Sequence, residues 1–329
     1  MRHFLLCVDR SALSERALPS ALMVARYWDA TLTLLHVLAP QAHTPGHGAT
    51  DALDWEITRK DADDYLSQLA AQGAQAGVTV KTRLAEGQPA ERIIHEAQAL
   101  GVDLLILSSH GGGGHLDWCV GTTAQMIASN SPTSLLIIPA ELPATPEILG
   151  AKCVLVALDG SPRAECAVPV AAHIARSADV ELLLVQVATP VEITFPTTLS
   201  NEDKAAVAHL QRRGERLADE YLHRLQSQLV TQNTRARAVL RTDVNVAEAL
   251  AEVARREDVG LMVVSAHGST GSGTSPHGGV VAKCLLKPMP APYLIVQDVS
   301  CHARAWLKPN PGLHTAPARI PDLYREEQE

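Results

Sequence analysis

The chain repeats itself, and the repeat limits what it can fold into. "HFLLCVDRSALSERAL" near the start and "CVLVALDGSPRAECAV" further on share one order of features: an apolar run, an Asp, a Ser two positions later and then helical periodicity. Asp9 and Asp159 stand 150 positions apart, as do Val37 and Val187 at the ends of "LTLLHV" and "LLLVQV". Further along, "EGQPAERIIHEAQALGVDLLILSSHG" pairs with "RTDVNVAEALAEVARREDVGLMVVSAHG", where Gly111 and Gly268 are 157 apart. The second copy therefore holds seven extra residues, which we place in the polar helical stretch "NEDKAAVAHLQRRGERLADEYLHRLQSQLV". A duplication of this length calls for two similar domains, each near the usual size of roughly 100 to 150 residues.

Within each copy, runs rich in Val, Ile and Leu alternate with helical segments, the pattern of parallel strands buried on both faces. Strands are expected near 3–8, 31–37, 78–83, 103–108 and 134–138, and again near 152–158, 180–187, 235–240, 260–265 and 292–296. The predicted fold class is α/β: two repeated doubly wound domains, each a five-stranded parallel sheet flanked by helices. Ser11 and Ser161 suit helix caps, and Pro89 suits a first helical turn. The domains are expected at 1–140 and 151–298. Between them runs a Pro-rich linker at 141–150, and an extended tail follows at 299–329.

Composition narrows the partners. A formal charge of −8 opposes the basic surface of a nucleic-acid binder, and two Phe, four Trp and five Tyr offer little base stacking. No apolar run approaches the roughly 20 residues of a membrane span, and the N-terminus lacks a signal-like core, so a cytoplasmic location is expected without a membrane partner. The six cysteines contain no CxxC pair and read as reduced, buried hydrophobes. His43 and His47 have helical spacing but sit among Pro and Gly, so no metal site is assigned.

Two glycine-rich stretches, "ILSSHGGGGHLDWCVGT" at 106–122 and "VVSAHGSTGSGTSPHGG" at 263–279, follow the fourth strand of each copy. Open parallel sheets bind ligands beyond the carboxyl ends of their strands, and glycines there let backbone N–H groups approach an anion beside a helix N-terminus. A ligand-free surface loop is the other reading that the residues allow. GxxxxGK[ST], GxGxxG opening the first helix and GxSxG are all absent, so P-loop hydrolysis, classical dinucleotide binding and lipase-type chemistry lose ground.

Together "LLCVDRS", "LTLLHV", "EGQPAERIIHEA", "VDLLILSSHG" and "GTTAQMIASNSPTSLLIIP" resemble the universal stress protein family in tandem form, up to about residue 298. Its nucleotide-binding members share Gly, two residues, Gly, nine residues, Gly and then Ser or Thr. The first copy matches with Ser108 in place of the first glycine, followed by Gly111, Gly121 and Thr122. The resemblance implies an adenine-nucleotide-hydrolase-like fold that binds ATP, with or without Mg²⁺. Asp9 and the backbone of Val37 would face adenine, and Ser108, Gly111, Gly121 and Thr122 would hold phosphates.

In the second copy Asp159, Val187, Gly268 and Gly278 occupy the matching places. Gly279 stands where Ser or Thr is expected, however, and Pro276 interrupts the approach to the helix. The nucleotide is therefore expected mainly in the first domain. His110 and His267 either contact phosphate or hydrogen-bond the loop. No catalytic residues are assigned, since no nucleophile with a base and no convergent carboxylates emerge; at most, slow hydrolysis or autophosphorylation is expected. The expected role is regulatory or stress-protective, with a homodimer and an unidentified protein partner as further expectations. An interaction scaffold for a hydrophobic ligand or protein is the alternative.

Overall fold

Apolar runs with no polar alternation need cover on both faces, and in the computed structural model each lies in a sheet between layers of helices. The described residues are 2–39, 52–112, 120–142, 152–190, 200–267 and 289–297. They divide into two units, one ending at 142 and the other beginning at 152.

The first unit runs β1 (Arg2–Cys7), α1 (Ala12–Glu15), α2 (Ala17–Tyr27), β2 (Ala30–Leu38), α3 (Ala52–Gln75), β3 (Val80–Glu86), α4 (Pro89–Ala99), β4 (Leu104–Ser108), α5 (Thr122–Asn130) and β5 (Ser134–Ile138). Its strands pair in parallel in the order β3-β2-β1-β4-β5. The central strand is deeply buried: Phe4, Leu5 and Leu6 have no exposed surface, and Leu6 pairs with Leu34 on one side and Ile106 on the other. Burying each such side chain contributes about 1.5–3 kcal/mol.

The second unit runs β6 (Cys153–Leu158), a short 3₁₀ turn (Ala164–Cys166), α6 (Ala167–Ala178), β7 (Glu181–Ala188), α7 (Asn201–Thr231), β8 (Ala236–Thr242), α8 (Val246–Arg256), β9 (Val259–Ser265) and β10 (Tyr293–Val296). Its parallel order, β10-β9-β6-β7-β8, repeats that of the first unit strand for strand. The strands fall within about three residues of the expected positions. Helix α7 has 31 residues against 24 in α3, so the seven extra residues lengthen this helix.

Two contacts fix helices of the first unit against its edge strand. Glu96 of α4, 1% exposed, receives Arg83 of β3 at 3.1 Å and Arg92 at 2.9 Å, tying α4 to the edge strand. Gly73 lets α3 press on β3 and α2. A methyl group at that position would lie 2.2 Å from Val80 Cγ2 and 3.2 Å from Leu22 Cδ2.

Alanine is about 1 kcal/mol better than glycine inside a helix. Gly73→Ala is nonetheless expected to destabilise the protein by about 1–3 kcal/mol, because overpacking outweighs propensity here. Urea denaturation checks this, and a higher unfolding midpoint for the variant would show that α3 is not tightly seated.

Candidate functional site

In the first unit, β1 is flanked by β2 on one side and β4 on the other. The loops after β1 and β4 consequently leave in different directions, and a crevice opens at the carboxyl ends of the two strands, where doubly wound sheets bind their ligands. A cleft of about 370 Å³ lies there, at the lower end of the roughly 300–1,000 Å³ common for small-molecule sites. Asp9, Val37, Ser108, Gly111, Gly121 and Thr122 all line it. These six come from four separate segments of sequence.

The lining divides by chemistry. Leu35, Val37, Pro89, Ile93 and Leu107 offer an apolar wall suited to a flat ring. Thr122 and Thr123, together with the opening turn of α5, offer donors suited to an anion. Gly121 sits just ahead of α5 in extended conformation (φ −63°, ψ 154°), and its amide donates to the Ser109 carbonyl at 2.8 Å. Ser108 is the end of β4, and its buried hydroxyl has no partner among the described residues.

Asp9 organises the polar side. Its Oδ2 accepts from the Gly112 amide at 2.7 Å, and its Oδ1 accepts from the Ser11 hydroxyl at 2.5 Å and the Ser11 amide at 3.1 Å. Ser11 in turn caps α1 by accepting from the Ser14 amide, while the Asp9 amide donates to the Ser14 hydroxyl. Burial alone would raise the Asp9 carboxyl, but hydrogen bonds from the Ser11 hydroxyl, Gly112, Ser14 and the Ser11 amide outweigh it and hold the group below its ordinary value. A glycine is needed at 111, since an added methyl would stand 2.0 Å from Asp9 Oδ2.

Arg10 was not singled out from sequence, yet it takes the left-handed conformation (φ 67°) that lets the chain turn from β1 into α1. Gly160 does the same in the second copy (φ 80°), so aligning the repeats would have exposed the constraint. Ser109 was missed as well. Its hydroxyl accepts from the Ala140 amide at 2.9 Å and bonds His110 Nδ1 at 2.9 Å, which gives His110 the loop-supporting hydrogen bond that was one of its two readings.

In the second unit Asp159 follows β6 and accepts from the Ser161 amide at 2.9 Å, and Ser161 accepts from the Ala164 amide at 3.1 Å. Val187 lies on β7, the counterpart of β2. Gly268 and Gly278 lie outside the described residues, as do His43, His47, most of the linker and the tail. Among the described residues, no group of three His, Cys, Asp or Glu is placed to hold a metal, and no helix is long and apolar enough to cross a membrane.

The sequence model of the universal stress protein family matches residues 1–139 and again 151–297. The chain belongs to the universal stress protein family. Curated relatives match over about the length of one copy. The universal stress protein YxiE of Bacillus subtilis is 28% identical over 144 residues, 41% of this chain and 96% of its own. The universal stress protein MJ0531 of Methanocaldococcus jannaschii is 24% identical over 132 residues, 40% of this chain and 77% of its own.

Solved structures match the tandem arrangement. A universal stress protein from Archaeoglobus fulgidus covers 90% of this chain and 96% of its own, with a TM-score of 0.65 and 15% identity. The functionally unknown protein PA1789 of Pseudomonas aeruginosa covers 93% and 97%, with a TM-score of 0.62 and 16% identity. At such identities these structures establish the two-domain α/β fold and nothing finer.

The bonds to Asp9 predict a pH signature. The carboxyl titrates lower in the folded chain than in the unfolded one, whose value is about 3.9. Its contribution to stability is therefore complete above that value and is lost as pH falls through the folded value. In chemical denaturation, wild type should exceed Asp9→Asn at neutral pH, and the gap should close below about pH 4. A gap independent of pH would mean that the charge of Asp9 is not what holds the glycine loop.

Proposed function

We propose that the first unit binds an adenine nucleotide, ATP among them, and that this binding serves a regulatory, stress-protective role in the cytoplasm while the second unit acts as support. One observation carries the proposal. All six first-copy residues that the family pattern nominates line a single cleft at the point where strand order reverses. Apolar side chains there suit the purine, and glycine amides, hydroxyls and a helix N-terminus suit phosphate.

Features around the cleft favour holding a ligand over transforming one. The Cys7 thiol is pushed far up by burial, so it supplies no thiolate nucleophile. The Ser109 hydroxyl is taken up by the Ala140 amide and His110. Asp9 has both oxygens engaged, Oδ1 by Ser11 and Oδ2 by the Gly112 amide. A stable binder whose occupancy reports nucleotide level fits this arrangement better than a turnover enzyme.

Titration calorimetry of the full chain with ATP and Mg²⁺ tests the proposal. Parent protein and Gly278→Val should both release heat with one site per chain. In Gly121→Val, whose branched side chain extends beyond a Cβ already in contact with the Ser109 carbonyl at 3.4 Å, affinity should fall at least about tenfold. If folded parent protein binds no adenine nucleotide, the cleft's ligand belongs to another class, with hydrophobic ligands and protein partners next in line.

A further inference from the structure

Resting on the adenine-nucleotide reading, we infer that occupancy of the first unit's cleft is transmitted to the start of the segment that leads to the second unit, through a clamp in which Ser109 and Arg16 hold Ala140 from both sides. Strand β5 ends at Ile138, and Ala140 stands just beyond it at 2% exposure. A backbone that has left a sheet loses its ladder partners, and a buried amide or carbonyl must find others. Here side chains supply them. The Ala140 amide donates to the Ser109 hydroxyl at 2.9 Å, and the Ala140 carbonyl accepts from Arg16 Nη1 at 3.0 Å. A turn follows at once, with the Leu142 amide donating to the Pro139 carbonyl at 3.2 Å. The chain then runs on to the second unit, whose described residues begin at 152.

Both arms of the clamp begin in the cleft. On one side Ser109 and His110 line it. The Ser109 amide donates to the Ile138 carbonyl and its carbonyl accepts from the Gly121 amide, each at 2.8 Å, while its hydroxyl also bonds His110 Nδ1 at 2.9 Å. A ligand that settles on Gly121 and the opening turn of α5 therefore bears on the residue that holds the Ala140 amide. On the other side Arg16 closes α1, the helix that Ser11 caps from its bond to Asp9 and whose Ser14 lines the cleft. A ligand beside Asp9 and Ser14 bears in turn on the residue that holds the Ala140 carbonyl. Two contiguous hydrogen-bonded routes thus end on one residue. The second copy builds the same sheet without these side chains. There the Ala266 amide donates to the Val296 carbonyl as the Ser109 amide does to that of Ile138. Yet Ala266 stands in place of Ser109 and Cys166 in place of Arg16, so that copy has neither the hydroxyl nor the guanidinium. The clamp accompanies the copy whose last strand leads into another domain.

Hydrogen exchange of the full chain, resolved at the Ala140 amide, tests the coupling with ATP and Mg²⁺ as the probe, or AMP should ATP fail to bind. Saturating nucleotide should slow Ala140 exchange about fivefold or more. Linkage is reciprocal, so removing an arm of the clamp should cut that slowing and weaken nucleotide binding in calorimetry by a like factor. Ser109→Ala removes one arm and Arg16→Ala the other; should Ser109→Ala fail to fold, Arg16→Ala, at an exposed position, decides alone. Unchanged Ala140 exchange in wild type that binds nucleotide overturns the inference and leaves the nucleotide reading standing. So does an Arg16→Ala variant that loses affinity yet keeps the full slowing at saturation, since Arg16 then acts only as a distant charge. A folded parent protein that binds neither ATP nor AMP overturns the nucleotide reading and this inference with it.

Discussion

A single carboxylate ties the end of β1 to the loop that follows β4. Asp9 reaches across the crevice to the Gly112 amide, and most other features of the first unit's site answer to that bond. Gly111 must lack a side chain because Asp9 Oδ2 fills the place of its Cβ. Arg10 accepts a left-handed backbone, a conformation that costs a non-glycine residue about 1–2 kcal/mol, so that Asp9 and Ser11 face each other across the turn. The hydroxyl of Ser11 then both caps α1 and braces the carboxylate. An anion built into the wall holds Gly111 and Gly112 beside the end of β1.

Much of this was legible in the sequence because burial on both faces leaves a strong trace. Parallel strands such as "FLLC" and "LLILS" read as unbroken apolar runs, and the duplication located every one of them twice. Gly111, Gly121 and Thr122 were recognisable because a backbone that must approach a ligand permits few residue types. The partner of Asp9 was not legible. That hydrogen bond spans 103 positions, and local sequence carries no sign of which loop amide folds back onto a strand-end carboxylate. Ser109 was hidden for the same reason, since its anchor is the Ala140 amide beyond β5.

The two copies show how a duplicated scaffold can divide its labour. Strand order and caps are retained in both, as expected of features that the core demands. Polar residues beside the crevice have drifted. Where the first unit strains Arg10, the second uses Gly160, and where the Ser108 hydroxyl has no partner among the described residues, Ser265 has the Cys166 thiol beside it. A hydroxyl satisfied within the protein stabilises the fold, whereas one left open is available to a ligand. The departures of the second copy from the family's glycine pattern, Gly279 and Pro276, point the same way.

Hydrogen–deuterium exchange of the full chain, with and without saturating adenine nucleotide, tests the central claim most directly. Bound nucleotide should slow exchange at the end of β4 and in its glycine loop, at 108–112, and in the first turn of α5, at 121–125, while α8 and β9 of the second unit stay unchanged. Protection confined to the second unit, or unchanged exchange throughout the first unit under conditions where binding is detected, would contradict the assignment of the site.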